Sequence, residues 1–197
     1  PSHLKTLVVD YIDKENWSAA GADINGDAYE ELLERSAGDT KSTAGQYFTP
    51  RPLIQAIVDV VQPTVADRVI DPASGTGGFL LAAHAYATRD AANLTPPERE
   101  HLQTRFVRGV DIGATTSRLA SMNLLLHGIG SITGNSLIDH KDALVADPGE
   151  RWSVVLANPP FGRSSSTDIG GGDDDGAEIF RQDFVVTTAN KQLNFLQ

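Results

Sequence analysis

The sequence predicts an α/β protein with a doubly wound, mostly parallel sheet, on three observations. From Asp67 onward, short apolar stretches alternate with segments of helical periodicity, the order expected of parallel strands joined by right-handed crossovers. The stretch "RVIDPASGTGGF" runs from a strand through a glycine-rich turn into a helix. "RWSVVLANPPF" is nearly uninterrupted in its apolar run, as a strand buried on both faces is.

The elements follow in order. "NGDAYEELLERSA" reads as a helix with apolar positions at Tyr29, Leu32 and Leu33, capped by Asn25 or Asp27, and "GDTKSTAGQ" after it as a loop. "TPRPLIQAIVDVVQP" reads as a helix capped by Thr49 with Pro50 in its first turn. Its apolar stripe is Leu53, Ile54, Ile57, Val58 and Val61, and Pro63 ends it. "RVIDPA" is the first strand, and "GTGGFLLAAHAYATRD" turns and continues as a helix. Thr95 and Glu98 form a capping box ahead of a short helix that has Pro96 in its first turn. "RFVRGVDI" is the second strand, "TTSRLASMNLLLHG" a helix ending at Gly128, "SITGNSL" the third strand and "RWSVVLANPPF" the fourth. "GRSSSTDIGGGDDDGAE" reads as a mobile loop over residues 162–178, and "TTANKQLNFLQ" as a helix cut off in mid-course. Doubly wound sheets normally carry five or more strands, so the four here predict a C-terminally incomplete fold and a larger parent protein.

Composition narrows the function classes. The 197 residues are 40% hydrophobic, which supplies one sizeable core with room for a small accessory piece. No signal peptide and no membrane-length apolar run is evident, so a soluble cytoplasmic protein is expected. The absence of cysteine removes disulfides, thiolate metal sites and any cysteine nucleophile. The net charge of −10 suits a protein that does not grip a phosphate backbone unaided.

The glycine turn "DPASGTGGF" sits where an open parallel sheet places its ligand. It fits neither phosphate cradle: Phe79 and Leu80 stand where a triphosphate loop needs Lys and Ser or Thr, and the spacing is not G-x-G-x-x-G. The acid before the glycines, Asp71, repels phosphate and suits a cation. Asp111, ending the second strand in "GVDI", is placed to accept two ribose hydroxyls. A cationic nucleoside with a free ribose describes S-adenosylmethionine. The alternative is a helix-capping Asp71 and a solvated Asp111.

"GQYFTP", "DPASGTGGF", "GVDI" and "NPPF", in that order, closely resemble the amino-methylating DNA adenine methyltransferases, above all the modification subunit of type I restriction-modification systems. The resemblance runs from about Asp23 to the end of the chain. It implies a class I S-adenosylmethionine-dependent methyltransferase fold, with residues 1–44 as an N-terminal helical segment and linker and 45–197 as a partial catalytic domain. It implies that Asn158 and the Pro159 carbonyl accept the two N–H groups of a flipped adenine while Phe161 stacks on the base. Pro160 adds rigidity by fixing φ. Tyr47, Phe48 and Thr49 are then the lining at the methionine end of the cofactor, with Asp71, Ala73, Gly75, Thr76, Gly77 and Gly78 in the turn and Asp111 and Ile112 at the ribose. In the segment "TGNSL", Asn135 stands where the family often has Asp against the cofactor adenine, with Ser136 a weaker candidate beside it. The implied partners are double-stranded DNA, a DNA-specificity subunit, a second copy of the chain and a restriction (nuclease) subunit.

Two other readings stay open at this level. One is an RNA or protein-glutamine methyltransferase with the same amide-holding pocket, which would carry its own substrate-binding domain. The other is a catalytically inactive, cofactor-holding fragment. Methylation at carbon 5 of cytosine is excluded because it needs a thiolate. The five histidines have no metal spacing, Trp17 and Trp152 read as core, and the run Asp173 to Asp175 reads as solvated, so no metal is expected.

Overall fold

The structure is a computed structural model that describes Thr6, Val9, Tyr29, Glu31 and residues 49–89, 91–161 and 179–197. Of the N-terminal helix expected over 25–37, Tyr29 and Glu31 are described, and both are helical. The loop expected over 162–178, the acidic run within it, Trp17, Tyr47 and Phe48 lie outside the described residues.

Among the described residues the elements are α1 (Arg51–Val61), β1 (Val69–Asp71), α2 (Gly78–Thr88), a 3-10 turn (Ala91–Asn93), α3 (Pro96–Thr104), β2 (Val107–Asp111), α4 (Ala114–Leu126), β3 (Ile138–His140), β4 (Val154–Val155) and α5 (Lys191–Leu196). The four strands form one sheet in the order β3-β2-β1-β4, with every pairing parallel. The expected doubly wound α/β architecture is therefore present. The chain winds outward from β1 to β3, then returns to the other side of β1 for β4. That reversal opens a crevice at the carboxyl ends of β1 and β4, where such sheets bind ligands.

The core explains why these segments settle here. All three residues of β1 are buried, and Val69 is packed with Val107, Leu80, Phe106 and Leu124 in one apolar cluster. Helix α1 joins the cluster through Ile54 and Val58 and packs on α2. The stripe is narrower than the spacing predicts, because Leu53 is 51% and Val61 42% exposed. The capping box of α3 is present, with the Thr95 N–H donating to Glu98 Oε2 at 2.7 Å. Asn190 caps α5, accepting from the Leu193 N–H at 3.1 Å.

The structure corrects three expectations. Thr49 does not cap α1: Pro50 holds that position without a side-chain hydrogen bond. The third strand is Ile138–His140, and "SITGNSL" is the turn that leads into it. Ile132 is 90% exposed, whereas Leu137, the last residue of that stretch, and Ile138 after it are both in the core. Finally, β4 is not covered on both faces. It lies at the edge of the described sheet, and Val155 is 62% exposed. Among the described residues no helix is long and apolar enough to cross a membrane.

Candidate functional site

The site is built on the turn between β1 and α2. Asp71, the last residue of β1, is 2% exposed and accepts from the Ala73 N–H at 3.0 Å, which starts the turn. Gly77 sits at φ +88°, a left-handed conformation that glycine adopts without steric cost, and opens α2. The turn is fastened from outside as well. The Ser74 N–H donates to the Val110 carbonyl at 2.9 Å, and the Gly75 N–H to Asp111 Oδ2 at 3.0 Å. From α4, the buried Asn123 donates Nδ2–H to the Thr76 carbonyl at 3.0 Å, and Ala120 lies directly under Gly77.

At the end of β2, Asp111 also accepts from its own turn, with the Gly113 N–H 2.8 Å from Oδ1. Each carboxylate oxygen holds one backbone donor and keeps a second lone pair for another. Ile112, half exposed beside it, is an apolar wall.

Electrostatics set the preference of this crevice. Burial pushes the Asp71 carboxyl up to about 7, and the neighbouring Asp111 raises it further, against the Ala73 hydrogen bond that lowers it. Burial also raises Asp111, opposed by the Gly113 and Gly75 N–H groups and by His140. Two carboxyls close to one another, Asp71 buried and Asp111 half-buried, favour a cation beside them. A ligand bearing an ammonium or sulfonium together with a hydroxylated sugar matches those acceptors, and a phosphate does not.

At the end of β4, Leu156 is buried, and its N–H donates to the Ile70 carbonyl at 2.9 Å. The chain therefore leaves the sheet beside Asp71. Asn158 follows, half-buried, with Nδ2–H donating to Thr49 Oγ1 at 3.0 Å. Phe161 is 58% exposed at this edge rather than in the core. Neither Pro159 nor Pro160 has an N–H, so the backbone donor that an Asn side chain ordinarily finds two residues on is missing.

The structure thus gathers Thr49, Asp71, Ala73, Gly75, Thr76, Gly77, Gly78, Asp111, Ile112 and Asn158 to Phe161 at the carboxyl ends of β1, β2 and β4. It does not bring Asn135 and Ser136 there. They precede β3, at the opposite edge of the sheet, where Ser136 bonds Ile138 and Ser121 and its carbonyl accepts from Arg108. They line a separate solvent-open cavity of about 200 Å³ with Leu124, Ile129 and Leu137. Because β3 begins at Ile138, seven residues after the start of the expected strand, its carboxyl end presents His140, with Lys141 next. His140 Nε2 lies 3.0 Å from the Ile112 carbonyl, and the Lys141 N–H donates to the Asp111 carbonyl at 3.1 Å. Sequence reasoning missed these two and Asn123; a buried Asn in mid-helix was the available signal for the last.

Comparison with known proteins agrees with this geometry. The family profile "N-6 DNA Methylase" matches residues 20–197. The type I restriction enzyme StySJI methylase subunit of Salmonella typhimurium is 38% identical over 98% of this chain and 36% of its own length. The chain thus spans about a third of that relative. A modification subunit of a type I restriction enzyme from Vibrio vulnificus superposes with a TM-score of 0.64 at 32% identity, covering 87% of this chain and 33% of the other. A chain from a structure of type I restriction-modification complex assembly superposes at 0.72 with 28% identity, over 96% of this chain and 36% of that one. With four motif segments in order, three of them gathered at one sheet edge, and a family match over most of its length, the chain belongs to the N-6 DNA methylase family.

Proposed function

We propose that this chain is the cofactor- and base-holding part of a DNA adenine-N6 methyltransferase, the modification subunit of a type I restriction-modification system. The observation that carries the reading is the crevice between β1 and β4, where the buried Asp71 turn faces an amide held by Thr49 and an exposed Phe161.

S-adenosylmethionine, when bound, supplies an electrophilic methyl group on a sulfonium. The residues that would hold it are Asp71 and the turn through Gly78 at its cationic end, to which the family resemblance adds Tyr47, Phe48 and Thr49, and Asp111 and Ile112 at its nucleoside end. The chain's own part in the chemistry lies at Asn158. An adenine amine is a poor nucleophile because its lone pair is delocalised into the ring. Asn158 Oδ1 and the Pro159 carbonyl accept its two N–H groups, which favours a more tetrahedral nitrogen and frees the lone pair. Pro159 and Pro160 fix the backbone that carries these acceptors. Phe161 offers the face on which a base extruded from its duplex stacks. Catalysis then rests on positioning and preorganised polar groups, with no covalent enzyme intermediate.

The net charge of −10 supports a division of labour in which a DNA-specificity subunit supplies the grip on double-stranded DNA. A second copy of the modification subunit and a nuclease subunit complete the assembly, which works in the cytoplasm. The relative drawn from a type I complex-assembly structure supports partnership of this kind.

The test supplies tritiated S-adenosylmethionine and unmethylated duplex DNA, RNA or protein to the full-length complex. Label is expected on the adenine amine of DNA. Label arriving only in RNA or protein would end this reading in favour of an RNA or glutamine methyltransferase.

A further inference from the structure

We propose that Thr49 is a positioning residue for methyl transfer, whose hydroxyl holds the Asn158 amide with Oδ1 turned toward the adenine amine. The inference rests on the function proposed above and adds to it a residue that acts through Asn158. A hydroxyl both donates and accepts, so it can hold either end of a carboxamide; here Thr49 accepts from Nδ2, and the two N–H donors of the base, which need Oδ1, favour that same orientation. With the amide reversed, Nδ2 would face the adenine amine, two donors would oppose each other, and the lone pair would gain nothing.

The local backbone supplies nothing to set this orientation. Asn side chains commonly accept from the N–H two residues on, which here belongs to Pro160 and does not exist, and Pro159 has none either. The described partner of the Asn158 amide is the Thr49 hydroxyl, which receives Nδ2–H at 3.0 Å from a segment 109 residues away. That hydroxyl is not committed to capping α1, since the helix has no side-chain cap hydrogen bond. Its mount is stiff. Thr49 precedes Pro50, which restricts its backbone, and Pro50 opens a helix anchored in the core by Ile54 and Val58. A β-branched side chain adds restriction at χ1. Nitrogen is thus occupied, and oxygen is left for the base.

The experiment uses the full-length protein in complex with its DNA-reading partner, unmethylated duplex DNA and saturating S-adenosylmethionine. Thr49→Val keeps the shape and removes the hydroxyl, and Thr49→Ser keeps the hydroxyl. Thr49→Val is expected to lower kcat by about 10-fold or more at saturating cofactor, a loss that persists after any weakening of cofactor binding, read as Kd by calorimetry, has been allowed for. Thr49→Ser is expected within about 3-fold of wild type in kcat, a rescue that a packing role would not give. Unchanged kcat in Thr49→Val, a loss that appears only as weaker cofactor binding, or a serine variant as poor as the valine one would overturn the inference. Should Thr49→Val fail to fold by thermal melting, Thr49→Ala carries the same expectations. Asn158→Ala is run in parallel. If it keeps full methylation, the proposed function itself fails; if it abolishes methylation while Thr49→Val does not, only the role of Thr49 falls.

Discussion

The Gly75 N–H donates to Asp111 Oδ2 at 3.0 Å, so the carboxylate that ends β2 holds the turn that follows β1. The same carboxylate steadies its own turn through the Gly113 N–H at 2.8 Å. Asp111 therefore shapes the glycine turn, and in the function proposed above it also meets the hydroxyls of the cofactor ribose. Asp111→Ala removes charge-assisted hydrogen bonds of both kinds. The expected result is S-adenosylmethionine binding weaker by about 10- to 100-fold in calorimetry. In the same variant without cofactor, the Gly75 amide is expected to exchange hydrogen faster than in wild type. Unaltered exchange at Gly75 would show that the turn holds itself.

Asp71 brings a pH dependence whose sign follows from its environment. With its carboxyl raised to about 7, the group is protonated in mild acid. A cationic ligand favours the carboxylate, so binding below about pH 7 expels a proton. Affinity is expected to rise with pH toward pH 7, by up to tenfold per unit, and then to level. Calorimetry at pH 6 in two buffers of different ionisation enthalpy is expected to show release of close to one proton. Asp71→Asn is expected to bind weakly at every pH and to release none.

How much of this was legible in the sequence depends on distance along the chain. Asp71, the glycines, Asp111 and "NPPF" are local signals, since strand composition followed by Gly or Pro marks a strand end by itself. Those residues do stand at one edge of the sheet. The partner of Asn158 was not legible. "TP" reads locally as a helix start, and nothing within its neighbourhood announces a contact 109 residues on. The slip at β3 has a different cause. "SITGNSL" and "LIDH" share Leu137 and each carries two apolar residues without strand alternation, and only the packing of Leu137 and Ile138 against the core decides between them. The position of Asn135 then moves to the other end of the sheet. The openness of β4 was hidden as well, because a run such as "WSVVLA" records what a strand tolerates and not what covers it.

Gly109 is a further residue whose role only packing shows. A Cβ there would lie 2.6 Å from Ile138 Cδ1 and 3.0 Å from both Leu80 Cδ1 and Ser74 Cβ. The glycine in β2 thus lets β3, α2 and the glycine turn close on one another. Gly109→Ala is expected to destabilise the protein by about 1–3 kcal/mol, as overpacking does, and to weaken cofactor binding by displacing Ser74. Adding Ile138→Val removes the atom in closest conflict and is expected to recover part of the stability. Urea unfolding of the two variants measures both. A Gly109→Ala protein as stable as wild type would mean that the neighbours yield freely.

His84 provides a check on the core that is independent of the crevice. It is half-buried on α2 with its ring edge-on to Phe106, centroids 5.9 Å apart. Burial lowers its pKa to about 4, and the nearby His127 lowers it further. The unfolded chain takes up this proton near the ordinary value of 6.5, and the folded chain resists until about 4. Stability from this group is therefore complete above pH 6.5 and is lost as the pH falls from 6.5 to 4, by about 1.4 kcal/mol per unit. Asp71 acts in the opposite sense over the same range, because its folded value lies above its unfolded one. The two slopes offset each other in the wild type, and only a variant separates them. His84→Leu removes the acid-sensitive half. Its unfolding free energy relative to wild type is expected to gain about 2 kcal/mol between pH 7 and pH 5 in urea titrations. A constant difference across that range would show that His84 titrates in the folded protein as it does in water, and that it is not enclosed as the packing around Phe106 requires.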